Sequence, residues 1–257
     1  MPVHIGTSGW QYKDWRARFY PQGVAQRAWL EFYAERFQTV ESNNAFYMLP
    51  KLETFAGWAR RTPEDFVMAV KMSRYLTHIK RLRESTEPVQ RFLDHARSLG
   101  SKLGPVLLQL PPNLKADVPS LSETLDRLIS SVHVAVEFRH ESWFTDEVRS
   151  ILEDRNVALC LADRWSQPVT PVWRTADWTY VRFHAGRATP EPCYGRTALK
   201  SWIERIASSW SSSEDVWAYF NNDHVACALR DARVFSAECG RAGLGPTRVP
   251  REPVRAG

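Results

Sequence analysis

Eight short apolar runs recur along the chain, and each run ends in polar or charged residues. Sequence with helical character follows most of them. Two parallel strands need a long crossover between them, so strands that alternate with helices predict a parallel sheet. The predicted strands span residues 3–8, 39–43, 66–71, 106–109, 132–139, 157–163, 178–184 and 216–221.

Eight such units in 257 residues match the size of a closed barrel. We therefore predict an α/β fold, a (β/α)8 TIM barrel, with helices at residues 26–36, 52–60, 88–99, 120–130, 146–154, 198–209 and 225–239. Residues 164–171 have the composition of a loop, so the sixth βα unit is expected to be irregular. Residues 1–242 are predicted to form this single domain, and residues 243–257 a flexible basic C-terminal tail.

The composition, 44% hydrophobic and 25% charged, is typical of a globular protein. No stretch of about 18 apolar residues occurs, which predicts no membrane span. The chain opens without a basic and apolar leader, so we expect a cytoplasmic protein. The cysteines form no C-x-x-C pair, which predicts free, reduced thiols and no structural zinc. They are Cys160, Cys193, Cys227 and Cys239.

The net charge of +5 gives only weak support for nucleic-acid binding. Four arginines stand against one glutamate after Gly240, so +3 belongs to the chain end and +2 to the body. A basic chain end is commonly a solvated segment. The partners that the sequence suggests are an anionic small molecule or nucleic acid, with no membrane; it predicts no particular oligomeric state.

The alternation of side chains along each strand predicts which of them face the interior of the barrel. In the fifth strand the apolar row of Val134, Val136 and Phe138 should meet the helices. The same rule, applied to all strands, gathers ionisable groups at the mouth, the carboxyl-terminal end of the sheet: Glu41, Lys71, Glu137, Arg139, Asp163, Arg182 and His184. Active sites of this fold lie at that end, which favours a ligand site over the alternative, a salt-bridge network that only fills the barrel.

Several motifs resemble those of the YecE-like family of uncharacterised proteins and occur in the same order. They include Ile5-Gly-Thr-Ser-Gly-Trp10, Glu41-Ser-Asn-Asn-Ala-Phe-Tyr47, Thr77-His78, Leu108-Gln-Leu-Pro-Pro112, Val136-Glu-Phe-Arg-His140, Val181-Arg-Phe-His184 and Tyr219-Phe-Asn-Asn-Asp223. The resemblance implies a TIM-barrel fold and supplies no established activity. The sequence departs from the family pattern at Ala185, which separates His184 from the glycine that usually follows it.

The charged residues at the mouth suggest binding of an anion. Lys71, Arg139 and Arg182 could converge on a phosphate or carboxylate, because guanidinium groups bind both in a bidentate manner. Glu137 lies beside Arg139, which should lower its pKa and suit it to act as a base. His184 and His140 are candidates for proton transfer near neutral pH. The predicted catalytic residues are Glu137, His184 and Asp163.

The substrate is expected to be held by charge, by hydrogen bonds and by ring stacking. Asparagine side chains would orient its oxygens. Aromatic residues on loops after the strands would stack on a base or sugar ring. The predicted substrate-binding residues are Lys71, Arg139, Arg182, Glu41, Asn43, Tyr47, His78, Gln109, His140, Trp143, Asn221, Asn222, Trp10 and Tyr12.

These residues favour an enzyme that acts on a phosphate-bearing substrate, with phosphoester hydrolysis as the leading reaction. One alternative is a protein that binds nucleic acid without catalysis. Another is a glycosidase or sugar-phosphate enzyme that uses Glu137. No cofactor is predicted, because the H-x-H and H-E-x-x-H patterns are absent; a divalent metal would need Glu41, Glu137, Asp163 and His184 as ligands.

Overall fold

A curled sheet of parallel strands forms the centre of the molecule. The computed structural model describes residues 1–252. Within them the strands are β1 (Pro2–Thr7), β2 (Thr39–Ser42), β3 (Val67–Lys71), β4 (Leu103–Gln109), β5 (Val134–Glu137), β6 (Ala158–Arg164), β7 (Gln167–Pro168), β8 (Thr179–Phe183), β9 (Val216–Phe220) and β10 (Gly245–Pro246). The order across the sheet is β10-β1-β9-β8-β6-β5-β4-β3-β2, with β7 antiparallel to β6. The fold is therefore mixed α/β, with a half-barrel sheet.

Helices connect most successive strands, as the alternating pattern predicts. They are α1 (Trp29–Arg36), α2 (Asn44–Tyr47), α3 (Leu52–Arg60), α4 (Thr86–Ala96), α5 (Val118–Leu128), α6 (Asp146–Asp154), α7 (Arg196–Ser209) and α8 (Cys227–Arg241). Between β6 and β8, residues 165–178 form no helix, so the irregular sixth unit is confirmed. The sequence did not predict α2 or a π-helical turn at Tyr75–Ile79.

The sheet separates two apolar clusters of different size. The larger one lies between the outer face of the strands and the helices and includes Val134, Val136 and Phe138, as predicted. The smaller one covers the inner face and contains Ala69, Leu107, Ala135, Ala158, Cys160, Ala176, Trp178, Tyr180, Trp217 and Tyr219. Two tyrosines and two tryptophans therefore fill the interior below the mouth, and the polar strand ends are left above them.

The assignment of faces is wrong for β6. Leu161, predicted to face inward, packs in the outer cluster, whereas Cys160 belongs to the inner one. Both faces of this strand are apolar, so alternation alone does not distinguish them. The bulky leucines meet the helices, and the small side chains of Ala158 and Cys160 leave room for the interior aromatic rings. Asp163 consequently lies on the outer side.

β1 and β2 meet at a seam that carries no continuous ladder. A single parallel bridge joins Ser8 to Glu41. A Cβ atom on Gly6 would overlap the Thr39 carbonyl oxygen, so only glycine lets the two strands approach this closely. Closure of the sheet into an eight-stranded TIM barrel stays a prediction.

Part of the predicted C-terminal tail packs against the sheet. β10 pairs with β1, and the Thr247 amide donates to the Val3 carbonyl at 2.8 Å. Arg248 forms an ion pair with Asp65 at 2.8 Å. Residues 253–257 of that tail lie outside the described residues, and the division of the chain at residue 242 stays a prediction.

One sequence prediction about the cysteines is wrong. Cys193 and Cys227 form a disulfide, with their Cα atoms 5.0 Å apart, whereas Cys160 and Cys239 are free and buried. The two bonded residues lie 34 positions apart, which no spacing motif reveals. The disulfide ties the loop after β8 to the start of α8. No helix within residues 1–252 has both the length and the apolar character needed to cross a membrane.

Candidate functional site

A buried arginine links two buried carboxylates at the mouth. Arg182, at the end of β8, donates from Nη2 to Glu41 Oε1 at 2.8 Å and from Nη1 to Glu137 Oε2 at 2.6 Å. These three residues, the ionic cluster, are 2%, 0% and 1% exposed. Strands distant in the chain are thereby joined through side chains, and the predicted convergence of Glu41, Glu137 and Arg182 is confirmed.

Further polar contacts hold each carboxylate in place. Glu41 also accepts hydrogen bonds from Ser8 Oγ and, at 2.7 Å, from the Tyr180 hydroxyl. Gln109 Nε2 donates to Glu137 Oε2 at 3.0 Å, and Arg139 Nε donates to Oε1 at 3.0 Å. Their positions are therefore fixed before any ligand binds.

The electrostatics keep both carboxylates ionised. Burial alone would raise the pKa of Glu137, but Arg182, His184 and Arg139 together hold that pKa well below its usual value. Burial acts in the same direction on Glu41, and Arg182, Ser8, Tyr180 and Lys71 outweigh it, so its pKa is also lowered. A group with a lowered pKa suits a proton acceptor or a charge partner and is a poor general acid.

His184 extends the cluster toward solvent. Its Nε2 atom lies 3.3 Å from Glu137 Oε1, and its Nδ1 atom lies 3.0 Å from Asn221 Nδ2. The Asn221 amide donates, so Nδ1 accepts and Nε2 carries the proton toward Glu137. Burial lowers the pKa of His184 although Glu137 raises it. The imidazole is therefore neutral at pH 7.

A cavity of about 430 Å³ opens over these groups. Glu137, Arg139 and His184 line it, together with Pro112, Glu141, Phe144, Arg164 and Val169. The side chain of Arg139 is 33% exposed, so part of its guanidinium remains available to a ligand. The mouth thus contains an open space next to an arginine, a carboxylate and a neutral histidine.

Lys71 lies on the inner face at the end of β3. Its Nζ atom lies 3.9 Å from the centre of the Phe46 ring, and the residue is 8% exposed. Burial, followed by the charge of Arg182, lowers the pKa of Lys71 to about 7, even though Glu41 and Glu137 oppose the shift. This lysine is therefore divided between its charged and neutral forms at physiological pH.

His78 contacts the ring of the same phenylalanine. Its ring lies 5.0 Å from that of Phe46 in an edge-to-face arrangement, and Nδ1 lies 2.8 Å from Thr77 Oγ1. Burial, with Lys71 and Arg139, lowers its pKa to about 4. The unpredicted π-helical turn brings His78 here, and α2 brings Phe46.

An aromatic groove of about 700 Å³ adjoins the cluster on the side of β1 and β2. Its lining includes Trp10, Tyr12, Tyr47, Met48 and Trp58. Tyr47 is 73% exposed and Met48 is 80% exposed, which is unusual for such large apolar groups. Ser8 and Asn43 lie where this groove meets the ionic cluster.

Asn43, which lines the groove, has a buried oxygen without a donor within residues 1–252. Its Nδ2 atom donates to Ser8 Oγ at 3.0 Å, whereas its Oδ1 atom is buried and accepts no hydrogen bond from the described residues. A buried carbonyl oxygen without a donor is costly, so a donor on a ligand would be favourable at this position.

Three predicted site residues have structural partners instead. Asp163 accepts from the Tyr194 hydroxyl at 2.5 Å and from Trp202 Nε1 at 2.7 Å, in the helix layer. Burial raises its pKa. Asn222 donates to Asp231 Oδ2 at 2.7 Å and is 3% exposed. His140 Nδ1 accepts from the Ser142 amide at 3.1 Å and caps a short helical turn.

Two of the predicted stacking tryptophans are buried. Trp143 stacks on Phe138 with ring centres 4.8 Å apart, donates to the Leu114 carbonyl and is 0% exposed. Trp10 packs edge-to-face on Trp58 at 5.4 Å and lines the groove with 2% exposure. An aromatic residue on a loop can therefore fill space beneath that loop, which sequence does not distinguish from an open surface.

Ser8, Phe46 and Tyr180 contact the site although the sequence did not nominate them. Alternation along the strands predicts that Ser8 and Tyr180 face inward, but an uncharged side chain gave no reason to select either as a site residue. Phe46 depends on the short helix α2, which has no periodic signal. Within residues 1–252 no three His, Cys, Asp or Glu side chains group as they would to hold a metal ion.

Fold and mouth together define a parallel α/β protein with an ionised, partly open polar site at the carboxyl ends of its strands. The chain belongs to the family described as "Protein of unknown function DUF72", which matches residues 4–254. Its relatives include the UPF0759 protein YecE of Escherichia coli K12, 32% identical over 251 residues, with 88% of each chain covered. The resemblance to this family is confirmed.

Solved structures of the same family share the fold. A DUF72 family protein from Thermotoga maritima superposes with a TM-score of 0.78 at 27% identity, and covers 93% of this chain and 100% of that one. A DUF72 family protein from Enterococcus faecalis gives a TM-score of 0.76 at 18% identity, with 93% and 95% covered. The second likeness is one of fold alone.

Proposed function

We propose that this protein is an enzyme that binds a small phosphate-bearing substrate at the mouth. The charge balance there carries the proposal. Three cations, Lys71, Arg139 and Arg182, stand against two carboxylates, Glu41 and Glu137, and Arg182 already bonds both of them. When Lys71 is protonated, one positive charge is in excess in a mostly buried space, and such a charge favours an anionic partner.

Arg139 and Lys71 would then grip the phosphate, because Arg182 is enclosed. The side chain of Arg139 is 33% exposed and reaches the cavity, whereas that of Arg182 is 2% exposed. Arginine binds phosphate through a planar pair of N–H donors, and a partly desolvated lysine adds a point charge.

Phosphoester hydrolysis is the leading reaction. Neutral His184 would accept a proton at Nδ1 from a water molecule that takes the place of the Asn221 amide there. Ionised Glu137, 3.3 Å from Nε2, would stabilise the imidazolium that forms. Arg139 and Lys71 would stabilise charge on the phosphoryl oxygens. Asp163 takes no part in this proposal, because its carboxylate faces Tyr194 and Trp202.

The glycosidase alternative loses support from the electrostatics. A glycosidase needs one carboxylic acid that is protonated at working pH. The pKa values of Glu41 and Glu137 are both lowered, and one guanidinium holds both groups.

Binding of a nucleotide or a single-stranded nucleic acid is favoured by one further observation, the exposed ring of Tyr47 in the aromatic groove. Bases stack on such rings without strong sequence preference. This alternative predicts that affinity rises with the number of bases and falls steeply with salt.

We also infer that the sheet closes as an eight-stranded barrel. The Ser8–Glu41 bridge and the close approach of Gly6 to Thr39 support this closure. Closure would bring the end of β2 beside the end of β1. Glu41 could then bind Ser8 of β1 on one side and Tyr180 and Arg182 of β8 on the other.

Calorimetric titration with inorganic phosphate tests the binding proposal. Wild type should bind phosphate, and Arg139→Ala should weaken binding by at least about tenfold, since a charged hydrogen bond contributes roughly 1.5–3 kcal/mol. Arg174→Ala is the matched control, because Arg174 pairs with Glu214 and does not line the mouth cavity. Equal affinity in Arg139→Ala and wild type, or no binding by wild type, contradicts the proposal.

A screen with phosphomonoesters and phosphodiesters tests the reaction. Glu137→Gln and His184→Asn should each lower any hydrolysis found, while Arg174→Ala leaves it unchanged. Full turnover by Glu137→Gln would remove Glu137 from the mechanism.

A further inference from the structure

Lys71 differs from other lysines of this chain in what surrounds its amine. Lys102 donates to the Ala59 and Thr62 carbonyls at 2.6 and 2.7 Å, and Lys80 and Lys200 pair with glutamates four residues further along the chain. Lys71 Nζ faces the Phe46 ring and has no hydrogen bond or ion pair with the residues that the structure describes. No carboxylate therefore fixes its charge by direct contact.

The position of this amine is equally distinctive. Lys71 is 8% exposed at the carboxyl end of β3, on the inner face of the sheet. Its strand lies between β2, which carries Glu41, and β4, which carries Gln109. The charges of Arg182, Glu41, Glu137 and Arg139 act on its amine. A desolvated amine beside other cations is the arrangement that makes lysine a nucleophile, because its neutral form keeps a lone pair on nitrogen.

We propose that Lys71 is a catalytic nucleophile that forms an imine with the aldehyde or ketone group of a phosphate-bearing substrate. The inference rests on the proposed function for the phosphate, which Arg139 alone would hold while Lys71 reacts with the carbonyl group, and it does not require hydrolysis. It assigns to the same mouth a second chemistry, with phosphorylated carbonyl compounds as its substrate class.

The step is balanced within the site. The Nζ lone pair attacks the carbonyl carbon, and the carbonyl π electrons move to oxygen. A proton then passes from the ammonium nitrogen to that oxygen, which gives a neutral carbinolamine with a lone pair on nitrogen. The nitrogen lone pair then expels the hydroxyl group, which leaves as water after protonation, and an iminium forms. His184, with its imidazole held between Glu137 and Asn221, is the group that would relay these protons.

The fraction of neutral amine supports the assignment. With a pKa of about 7, half of Lys71 is uncharged at neutral pH. An ordinary lysine with a pKa of about 10.4 has roughly a thousandth of that neutral fraction. The iminium product is again a cation, so the excess positive charge that attracts the phosphate persists after the bond forms.

Reductive trapping with pyridoxal 5′-phosphate, used as an aldehyde that carries a phosphate, tests the inference. Wild-type protein is mixed with the reagent at pH 7, reduced with borohydride, digested and analysed by peptide mass spectrometry. Labelling of Lys71 should exceed that of each of the other six lysines by at least about tenfold. Pyridoxal, without the phosphate, should label Lys71 more slowly.

Pyridoxine 5′-phosphate separates this inference from the proposed function, because it has the phosphate and no aldehyde. It should bind, compete with the aldehyde and protect Lys71. If it binds while Lys71 stays unlabelled, the inference fails and the phosphate site stands. If Lys71 is labelled equally by pyridoxal and its phosphate, the amine is nucleophilic but the phosphate site fails, and with it the proposed substrate class.

The labelling rate as a function of pH gives an independent readout. For Lys71 the midpoint should lie near pH 7, whereas labelling of an ordinary lysine, with a pKa of about 10.4, rises until a much higher pH. Lys71→Arg keeps the positive charge and removes the nucleophile, so it should still bind pyridoxine 5′-phosphate. A Lys71 rate that depends on pH as an ordinary lysine does overturns the proposal, and this comparison needs no variant.

Discussion

Arg182 Nη1 lies 2.6 Å from Glu137 Oε2, and each of these side chains is 2% exposed. Neither charge can be solvated by water at this depth, so each stabilises the other. The second nitrogen of the same guanidinium binds Glu41 at 2.8 Å. The mouth therefore depends on a single arginine to balance two carboxylates that come from separate parts of the chain.

Replacing that arginine should destabilise the protein strongly. Arg182→Met leaves two buried carboxylates without their partner, and the free energy of unfolding should fall by about 3–5 kcal/mol. Urea denaturation followed by tryptophan fluorescence measures the change. Arg127→Met removes an exposed helix pair with Glu123 and should cost under about 1 kcal/mol. Similar stabilities for the two variants would show that the buried cluster contributes little.

Anion affinity should fall as the pH rises through 7. Lys71 is a cation below its pKa of about 7 and neutral above it, so an anion binds better at lower pH. Sulfate is the suitable probe because its own charge is constant over this range. Well above pH 7 the dissociation constant should rise by up to about tenfold per pH unit.

Lys71→Arg is the matched control for this pH profile. An arginine stays charged throughout the range, so its sulfate affinity should not fall near pH 7. Calorimetry in two buffers of different ionisation enthalpy should also detect proton uptake in wild type and less in the variant. A flat wild-type profile is incompatible with a titrating Lys71.

Asp163 and Glu137 should respond differently to the same carboxylate-to-amide change. Asp163→Asn places an amide against the Tyr194 and Trp202 donors and should lower stability by about 1–3 kcal/mol. Its sulfate affinity should equal that of wild type. Glu137→Gln removes a negative charge from the mouth and should tighten sulfate binding. Weaker sulfate binding by Asp163→Asn would show that Asp163 contributes to anion binding and would contradict its assignment to a structural role.

Tyr47→Ala tests the aromatic groove without disturbing the core, since the side chain is largely exposed. Loss of a stacked base costs about 1–3 kcal/mol, so adenosine 5′-monophosphate should bind more weakly to the variant. Ribose 5-phosphate and sulfate, which have no base, should bind to both proteins equally. An unchanged affinity for the nucleotide would exclude Tyr47 from the site.

Alternation along the strands was sufficient to find the centre of the site. Glu41, Glu137 and Arg182 follow the apolar rows of β2, β5 and β8, and the end of a parallel strand is a fixed position in space. The same logic failed for β6, where leucine, alanine and cysteine are all apolar and only their size separates the two faces. Which face must carry the small side chains depends on the aromatic rings that other strands place in the interior. The sequence of β6 alone does not contain that information.

Residues on loops and short helices were harder to place. Tyr47 and Trp143 are both aromatic residues on segments that follow a strand, so the sequence predicts the same role for both. In the structure Tyr47 is exposed to solvent, whereas Trp143 is buried and stacks on Phe138. The turn that carries His78 has too few residues for a periodic pattern. The disulfide between Cys193 and Cys227 links two positions brought together only by the completed fold.

The close approach at Gly6 links the architecture of the molecule to its chemistry. Any side chain at this position would push the first strand away from the second, two residues before the Ser8–Glu41 bridge. An alanine there would displace Ser8 from Glu41 although it replaces no charged residue. If a Gly6→Ala variant bound anions weakly, the cause would be a displaced strand and not a missing charged group. A mutational screen for loss of binding would therefore identify Gly6 together with the residues that contact the ligand.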